Sequence, residues 1–108
     1  MHIPDKGDIV WLNFEPGAGK EITKRRPAFV ISRKAFNEHT GFAIVAPIIS
    51  TVRGIRLEVE LEGIKTEGAV LIYQMKSLDF ENRDIELIEK APPATTNKVT
   101  ELAQIIVK

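Results

Sequence analysis

Apolar residues come along this chain in short blocks divided by turn residues, at spacings of roughly a dozen, the cadence of a small antiparallel β domain. Ile9-Val10-Trp11-Leu12-Asn13-Phe14 is a near-continuous apolar run and predicts a central first strand. Glu15-Pro16-Gly17-Ala18-Gly19-Lys20 breaks it with one proline and two glycines, a loop signal. Pro27–Ser32 predicts a second strand, Phe36–Gly41 a turn, and Phe42–Pro47 a third strand. Leu57, Val59 and Leu61 alternate with Glu58, Glu60 and Glu62, a strand with one buried face and one acidic, solvated face. Ala69–Tyr73 reads as a buried strand, Gln74–Leu78 as a short helical turn, and Ile85–Ile88 as a last short strand. After Pro92-Pro93, with Thr95 or Thr96 as cap, Val99, Leu102, Ala103 and Ile106 keep helical spacing and form one apolar stripe. Short connections make the pairing antiparallel. The expectation is a mainly β (α+β) domain spanning 1–108: a small, strongly bent antiparallel barrel with a C-terminal helix that closes it or meets a partner.

Composition narrows the class. The 108 residues are 44% hydrophobic and 28% charged, enough for one modest core. Fifteen basic residues balance fifteen acidic ones, so only the distribution of charge is informative. Residues 17–34 hold Lys20, Lys24, Arg25, Arg26, Arg33 and Lys34 against the single acid Glu21, a local net of +5. Acids gather at Glu58, Glu60 and Glu62 and again from Asp79 to Glu89. One side of the molecule is therefore suited to a polyanion. Cysteine is absent, which removes disulfides and thiolate metal sites, and no apolar run has membrane length. A soluble cytoplasmic protein without membrane association is expected.

The chemistry concentrates in Lys24-Arg25-Arg26-Pro27-Ala28-Phe29-Val30-Ile31-Ser32. Pro27 fixes its own φ and pushes Arg26 toward extended geometry, so the guanidinium leaves a stiffened backbone at the mouth of a strand. Arginine offers a planar, permanently charged fork that matches phosphate. A second loop, after Pro47, carries Ser50, Thr51 and Arg53. His2 and His39 are poorly placed as acid and base, one in the terminus and one in a polar turn. Metal-ligand spacing, a phosphate-cradling glycine loop and a nucleophile elbow are all missing from the sequence. Any enzyme built from these residues is expected to work without metal or other cofactor.

Several of these segments together resemble the MazF/PemK family: Gly7–Leu12, Phe14-Glu15-Pro16, Arg25–Ser32, Asn37-x-x-Thr40-Gly41, Ala46-Pro47-Ile48 and Gln74-x-Lys76-Ser77-Leu78-Asp79. The resemblance implies an SH3-like barrel and the toxin of a type II toxin–antitoxin module, whose complex with antitoxin binds DNA. It implies a sequence-selective endoribonuclease that works as a homodimer on single-stranded RNA. The RNA's own 2′-OH attacks phosphorus and leaves 2′,3′-cyclic phosphate and 5′-OH ends. The implied partner is a cognate antitoxin with a disordered acidic segment lying in the basic groove. The catalytic arginine falls on Arg26 and an acidic loop residue on Glu21. Lys20, Lys24, Arg25, Arg53, Tyr73, Gln74 and Lys76 are the implied RNA contacts.

Three positions depart from the family pattern. Ile49 stands where the family has a catalytic threonine, with Ser50 and Thr51 beside it as replacement hydroxyls; Lys20 replaces a loop histidine and Tyr73 an aspartate of some members. Ile49 and Tyr73 leave room for a second reading, a catalytically weakened member that binds RNA or antitoxin without efficient cleavage. A peptide-binding barrel is a third, although only Trp11, Phe14 and Tyr73 lie near the basic segment to line such a groove.

Overall fold

The computed structural model describes residues 2–108. Seven antiparallel strands form the sheet: β1 (Asp8–Asn13), β2 (Arg25–Val30), β3 (Phe42–Ile49), β4 (Glu58–Glu60), β5 (Ala69–Leu71), β6 (Lys76–Asp79) and β7 (Glu86–Lys90). Two helices accompany them, α1 (Lys34–Thr40) and α2 (Pro93–Val107). The strand order is β4-β5-β3-β2-β1-β7, with β6 also on β3. The first strand is expected to be central from its unbroken apolar run; it is paired on both edges, by β2 and β7, but lies one place from the end of the order. The bent antiparallel sheet and C-terminal helix agree with expectation, but the barrel is not closed. Between its two ends, the Glu89 carboxylate on β7 accepts from the backbone N–H groups of Lys65 and Thr66 and from the Thr66 hydroxyl, at 2.7–3.2 Å. That hydroxyl bond is the first reason the Glu89 pKa lies below its ordinary value.

β3 organises the sheet. One edge pairs with β2, in register Ala28↔Pro47 and Val30↔Val45. The other edge changes partner, since Phe42–Val45 pair with β6 while Ile48 and Ile49 pair with β5. Ile44 hydrogen-bonds toward the β2 side through Ile31 and the Ser32 hydroxyl, so odd-numbered residues of β3 direct their backbone groups to the outer edge. Pro47 is one of these, and it has no N–H to give. The partner change falls at that gap.

Alternation sends side chains to two cores. Ile9, Phe29, Ile31, Ala46 and Ile48 pack with Val59, Val70, Val99 and Ala103 on the face covered by α2 and by β4 and β5. Val10, Leu12, Phe14, Ala28, Val30, Ala43 and Val45 pack with Leu78 and Phe80 on the other. Because each face of β1 and β2 meets a core, these strands read as continuous apolar runs.

Several local expectations are corrected. The predicted turn at 36–41 is part of helix α1, ended by Gly41 at φ 76°. Its pattern hides it, because only Asn37 is buried. Asn37 donates to the carbonyls of Pro4 (2.8 Å) and Ser32 (3.1 Å), and accepts from the Ser32 hydroxyl. The helical turn comes earlier than predicted, as a 3₁₀ turn at Ile72–Gln74, and Lys76–Asp79 is instead the strand β6. The predicted strands over 57–62 and 69–73 are shorter, although Leu61 N–H to Gly68 and Ile72 N–H to Leu57 continue their pairing. Neither Thr95 nor Thr96 caps α2, which begins at Pro93 with Pro92 as N-cap; proline at the first helical position brings its own φ. Glu58 is not merely solvated, since its Oε1 accepts from Arg53 and Gly54 N–H at 2.8 and 3.0 Å. In α2, Val99 and Ala103 reach the core, while Ile105 and Val107 remain 66% and 72% exposed. No helix among the described residues is long and apolar enough to cross a membrane.

Candidate active site

The loop from residue 14 to 24 leaves β1 and returns as β2, and it is held by identifiable bonds. Phe14 N–H donates to Lys24 O (2.9 Å), which closes the base of the loop. Lys24 N–H donates to Glu15 Oε1 (2.8 Å), and Lys24 itself sits in the left-handed region at φ 70°. Ala18 N–H donates to Glu21 Oε1 (2.7 Å), which folds the tip back on itself. Ile22 N–H donates to Gln74 Oε1 (2.8 Å) across the site. The Arg83 guanidinium binds the Asn13 and Glu15 carbonyls at 3.1 and 2.7 Å. Sequence reading missed Glu15, Ile22 and Arg83. Their roles run through backbone partners, which leave no pattern in the side chains.

Under this loop is a pocket of about 180 Å³, lined by Phe14, Glu21, Ile22, Pro47, Tyr73, Gln74, Met75 and Lys76. It opens where β3 changes partner, at Pro47 and the 3₁₀ turn. Arg26 is half-buried on β2, opposite Leu12. Its position falls on the same face as Ala28 and Val30, which is also the face of Phe14, Val45 and Leu78. Pro47, Ile49 and Lys76 share that face by alternation along β3 and β6. Continued two residues past Ala28↔Pro47, the register sets Arg26 level with Ile49. Arg26 Nε donates to the Thr23 carbonyl at 2.7 Å, and among the described residues neither Nη has a protein partner. The free edge of the fork is available to an anion.

The expected site residues do not all converge. Glu21, Tyr73, Gln74 and Lys76 line the pocket, and Lys20 and Lys24 are exposed on the loop above it. Arg25 goes the other way, as any neighbour in a strand must. Its guanidinium lies 5.3 Å from the Trp11 ring centroid and binds Asp84 O (3.1 Å) and Glu86 Oε1 (3.3 Å). Ser50 and Thr51 are exposed just past β3, and their hydroxyls have no partner among the described residues. Ile49 is buried and opposite Ala69, and the chain at Gly68 approaches so closely that a Cβ there would lie 1.9 Å from the Ile49 oxygen. Arg53 Nη1 donates to the Tyr73 hydroxyl at 3.2 Å, which joins the second loop to the rim. No three His, Asp or Glu side chains among the described residues stand together as metal ligands.

A profile described as "PemK-like, MazF-like toxin of type II toxin-antitoxin system" matches residues 5–107. The chain belongs to this family. The endoribonuclease toxin MazF of Escherichia coli strain K12 is 35% identical over 82 residues, 76% of this chain and 74% of that protein. Escherichia coli endoribonuclease PemK is 28% identical over 100 residues, 88% of this chain and 75% of that one. Among solved structures, MazF from Deinococcus radiodurans superposes with a TM-score of 0.94 at 36% identity, covering 99% of this chain and 98% of that one. A MazE–MazF complex from the same organism gives 0.86 at 36% identity, covering 99% and 97%.

The two-faced arrangement separates the MazF-like chain's adjacent arginines by task. Arg25→Ala should lower stability to urea by about 0.5–1 kcal/mol through loss of the partly exposed stacking contact. Arg25→Lys should not restore it, since an ammonium lacks the planar fork. A loss confined to RNA affinity, with unchanged urea midpoint, would put Arg25 in the binding surface instead.

Proposed function

We propose that this chain is a type II toxin that cuts single-stranded RNA, with Arg26 at the scissile phosphate. The observation that carries the reading is the Arg26 fork, anchored at Nε and, among the described residues, free at both Nη atoms; Arg26 does not itself line the pocket but shares a strand face with its Pro47 and Lys76. In the reaction the 2′-oxygen bonds to the adjacent phosphorus, the P–O5′ bond breaks, and the products are a 2′,3′-cyclic phosphate and a free 5′-OH. The nucleophile comes from RNA, so the protein must position it, move protons and stabilise charge. Glu21, with Oε1 on the Ala18 N–H, is the group to take the 2′-proton, and solvent water supplies a proton to the departing 5′-oxygen. The Arg26 fork stabilises the phosphoryl oxygens as charge builds. Lys20, Lys24, Arg53 and Lys76 hold neighbouring phosphates, and Tyr73, 43% exposed at the rim, stacks on a base.

The protein partner is an antitoxin whose acidic, disordered segment occupies the same basic surface and competes with RNA. The working unit is a homodimer. A cleft of about 360 Å³ between the sheet, α1 and α2 is lined by Ile31, Phe36, Ile44, Met75, Ala103 and Val107 together with Lys6, Ser32, Arg33, Thr100 and Gln104, a mixed apolar and polar surface suited to a second copy. Sedimentation at micromolar concentration should give twice the 12.1 kDa chain mass. A monomer that still cleaves RNA would contradict the dimer.

Incubation of a long RNA with purified protein in chelator, followed by sequencing of the ends, tests the chemistry. Cleavage should persist, leave the two predicted termini and spare DNA, which has no 2′-OH. Arg26→Ala should reduce kcat by about 10²–10³ while binding weakens little, as for a contact made chiefly in the transition state. Dependence on Mg²⁺, or equal cutting of DNA, would sink the mechanism.

Ile49 supports the second reading, a weakened enzyme. It occupies the face of Arg26 where a hydroxyl could donate to a phosphoryl oxygen, and alternation turns Ser50 away from that face. Ile49→Thr should therefore raise kcat by up to about 10²–10³, and Ser50→Ala should change it little. The reverse result, no gain from Ile49→Thr and a large loss from Ser50→Ala, would mean that Ser50 has taken over the donor.

A further inference from the structure

Among the described residues, Arg26 depends on a single protein bond for its aim. Nε donates to the Thr23 carbonyl at 2.7 Å, and that bond fixes the plane of the fork. The carbonyl is itself on a loop, so its position must be set by what holds residues 22 to 24. Lys24 N–H on Glu15 Oε1 fixes one side, a tie within the loop base. The Thr23 methyl packs onto Gly17, where a Cβ would come within 2.3 Å of it. Ile22 N–H on Gln74 Oε1 fixes the other side, and it links the loop to the 3₁₀ turn between β5 and β6, 52 residues further along the chain. Without it, the inner edge of the loop would lose its side-chain tie to the opposite wall of the pocket.

We propose that Gln74 is a positioning residue, whose side-chain carbonyl holds the Ile22 N–H and so places the Thr23 carbonyl that aims the Arg26 guanidinium. This rests on the functional reading above for its effect on rate, but not for its effect on the arginine. The sequence expectation was a direct contact between Gln74 and RNA, and the proposed role is indirect. The two roles make different chemical demands. Holding an N–H needs an acceptor alone, which glutamate supplies as well as glutamine. Reading a base through the amide nitrogen needs a donor, which glutamate lacks at neutral pH.

Three variants of the full chain decide it: Gln74→Leu, Gln74→Ala and Gln74→Glu. The Arg26 Nε–H resonance and the exchange rate of the Ile22 amide are measured without RNA, and kcat and KM with it. In Gln74→Leu and Gln74→Ala, the Arg26 signal should move to that of a freely rotating arginine and the Ile22 amide should exchange faster. Their kcat should fall about 10²-fold, the scale of a misplacement near 1 Å, with a smaller change in KM. Gln74→Glu should keep both signals and most of kcat, and raise KM because a carboxylate now faces the RNA phosphates. An unchanged Arg26 signal in the folded Leu or Ala variant overturns the proposal. So does a Glu variant that loses as much kcat as they do. A wild-type protein that fails to cleave RNA would overturn the functional reading instead, and the spectral comparison would still decide the linkage.

Discussion

Everything in this molecule depends on how one strand, β3, is shared. It is paired along both edges, and its outer edge passes from β6 to β5 at a residue that has no N–H. An unbroken ladder would have kept one partner along the whole outer edge. The proline gap lets the two partners diverge, and the chain that links them must cross the opening as the turn Ile72–Gln74. Backbone hydrogen bonding alone therefore produces a concavity at Pro47, lined by the crossing turn on one wall and roofed by the loop between β1 and β2. The site is a by-product of partner exchange within a strand. It needs no second domain.

Strand alternation imposes a second constraint. Neighbours in β2 cannot serve one site, so Arg25 and Arg26 are committed to opposite faces by geometry alone. One guanidinium stacks on Trp11 and braces β7 through Glu86, while the other has no protein partner on its outer edge among the described residues. A basic cluster that looks uniform in sequence is thus half structural. The cation count of the segment overstates what reaches a ligand, since the Arg25 guanidinium is already engaged by Trp11, Asp84 and Glu86.

The sequence made legible whatever rests on side-chain period. The strands β1, β2 and β3, the alternation of Leu57, Val59 and Leu61, and the core half of α2 all follow from apolar spacing, and the family likeness followed from Arg25–Ser32 and its companions. What stayed hidden rests on backbone and polar bonds. Helix α1 buries a single side chain, an asparagine, so it has no apolar stripe to reveal it. β6 looked like a turn because Lys76 and Ser77 carry no strand signal, and only pairing with β3 defines it. In the candidate site, Arg26, Glu21, Tyr73, Gln74 and Lys76 were legible as residue types in a familiar order. Arg25's departure to the other face and the Glu15, Ile22 and Arg83 fastenings were not, because they come from pleat geometry and from partners on the main chain.

The pairing of β1 with β7 bears on how such a chain is made. Asp8 and Lys90 are register partners, so β1 waits for one of its two neighbours until residues 86–90 have been made. The core beneath α2 waits longer still, since Val99 and Ala103 fill it. Contacts so distant in sequence carry a large loop-closure entropy and form late. During synthesis by a ribosome, the early hairpin of β1 and β2 must therefore persist with one open edge and one bare apolar face, a state prone to association. Residues 86–103 remove both together, since β7 closes the open edge and α2 covers the bare face only after the other six strands are in place.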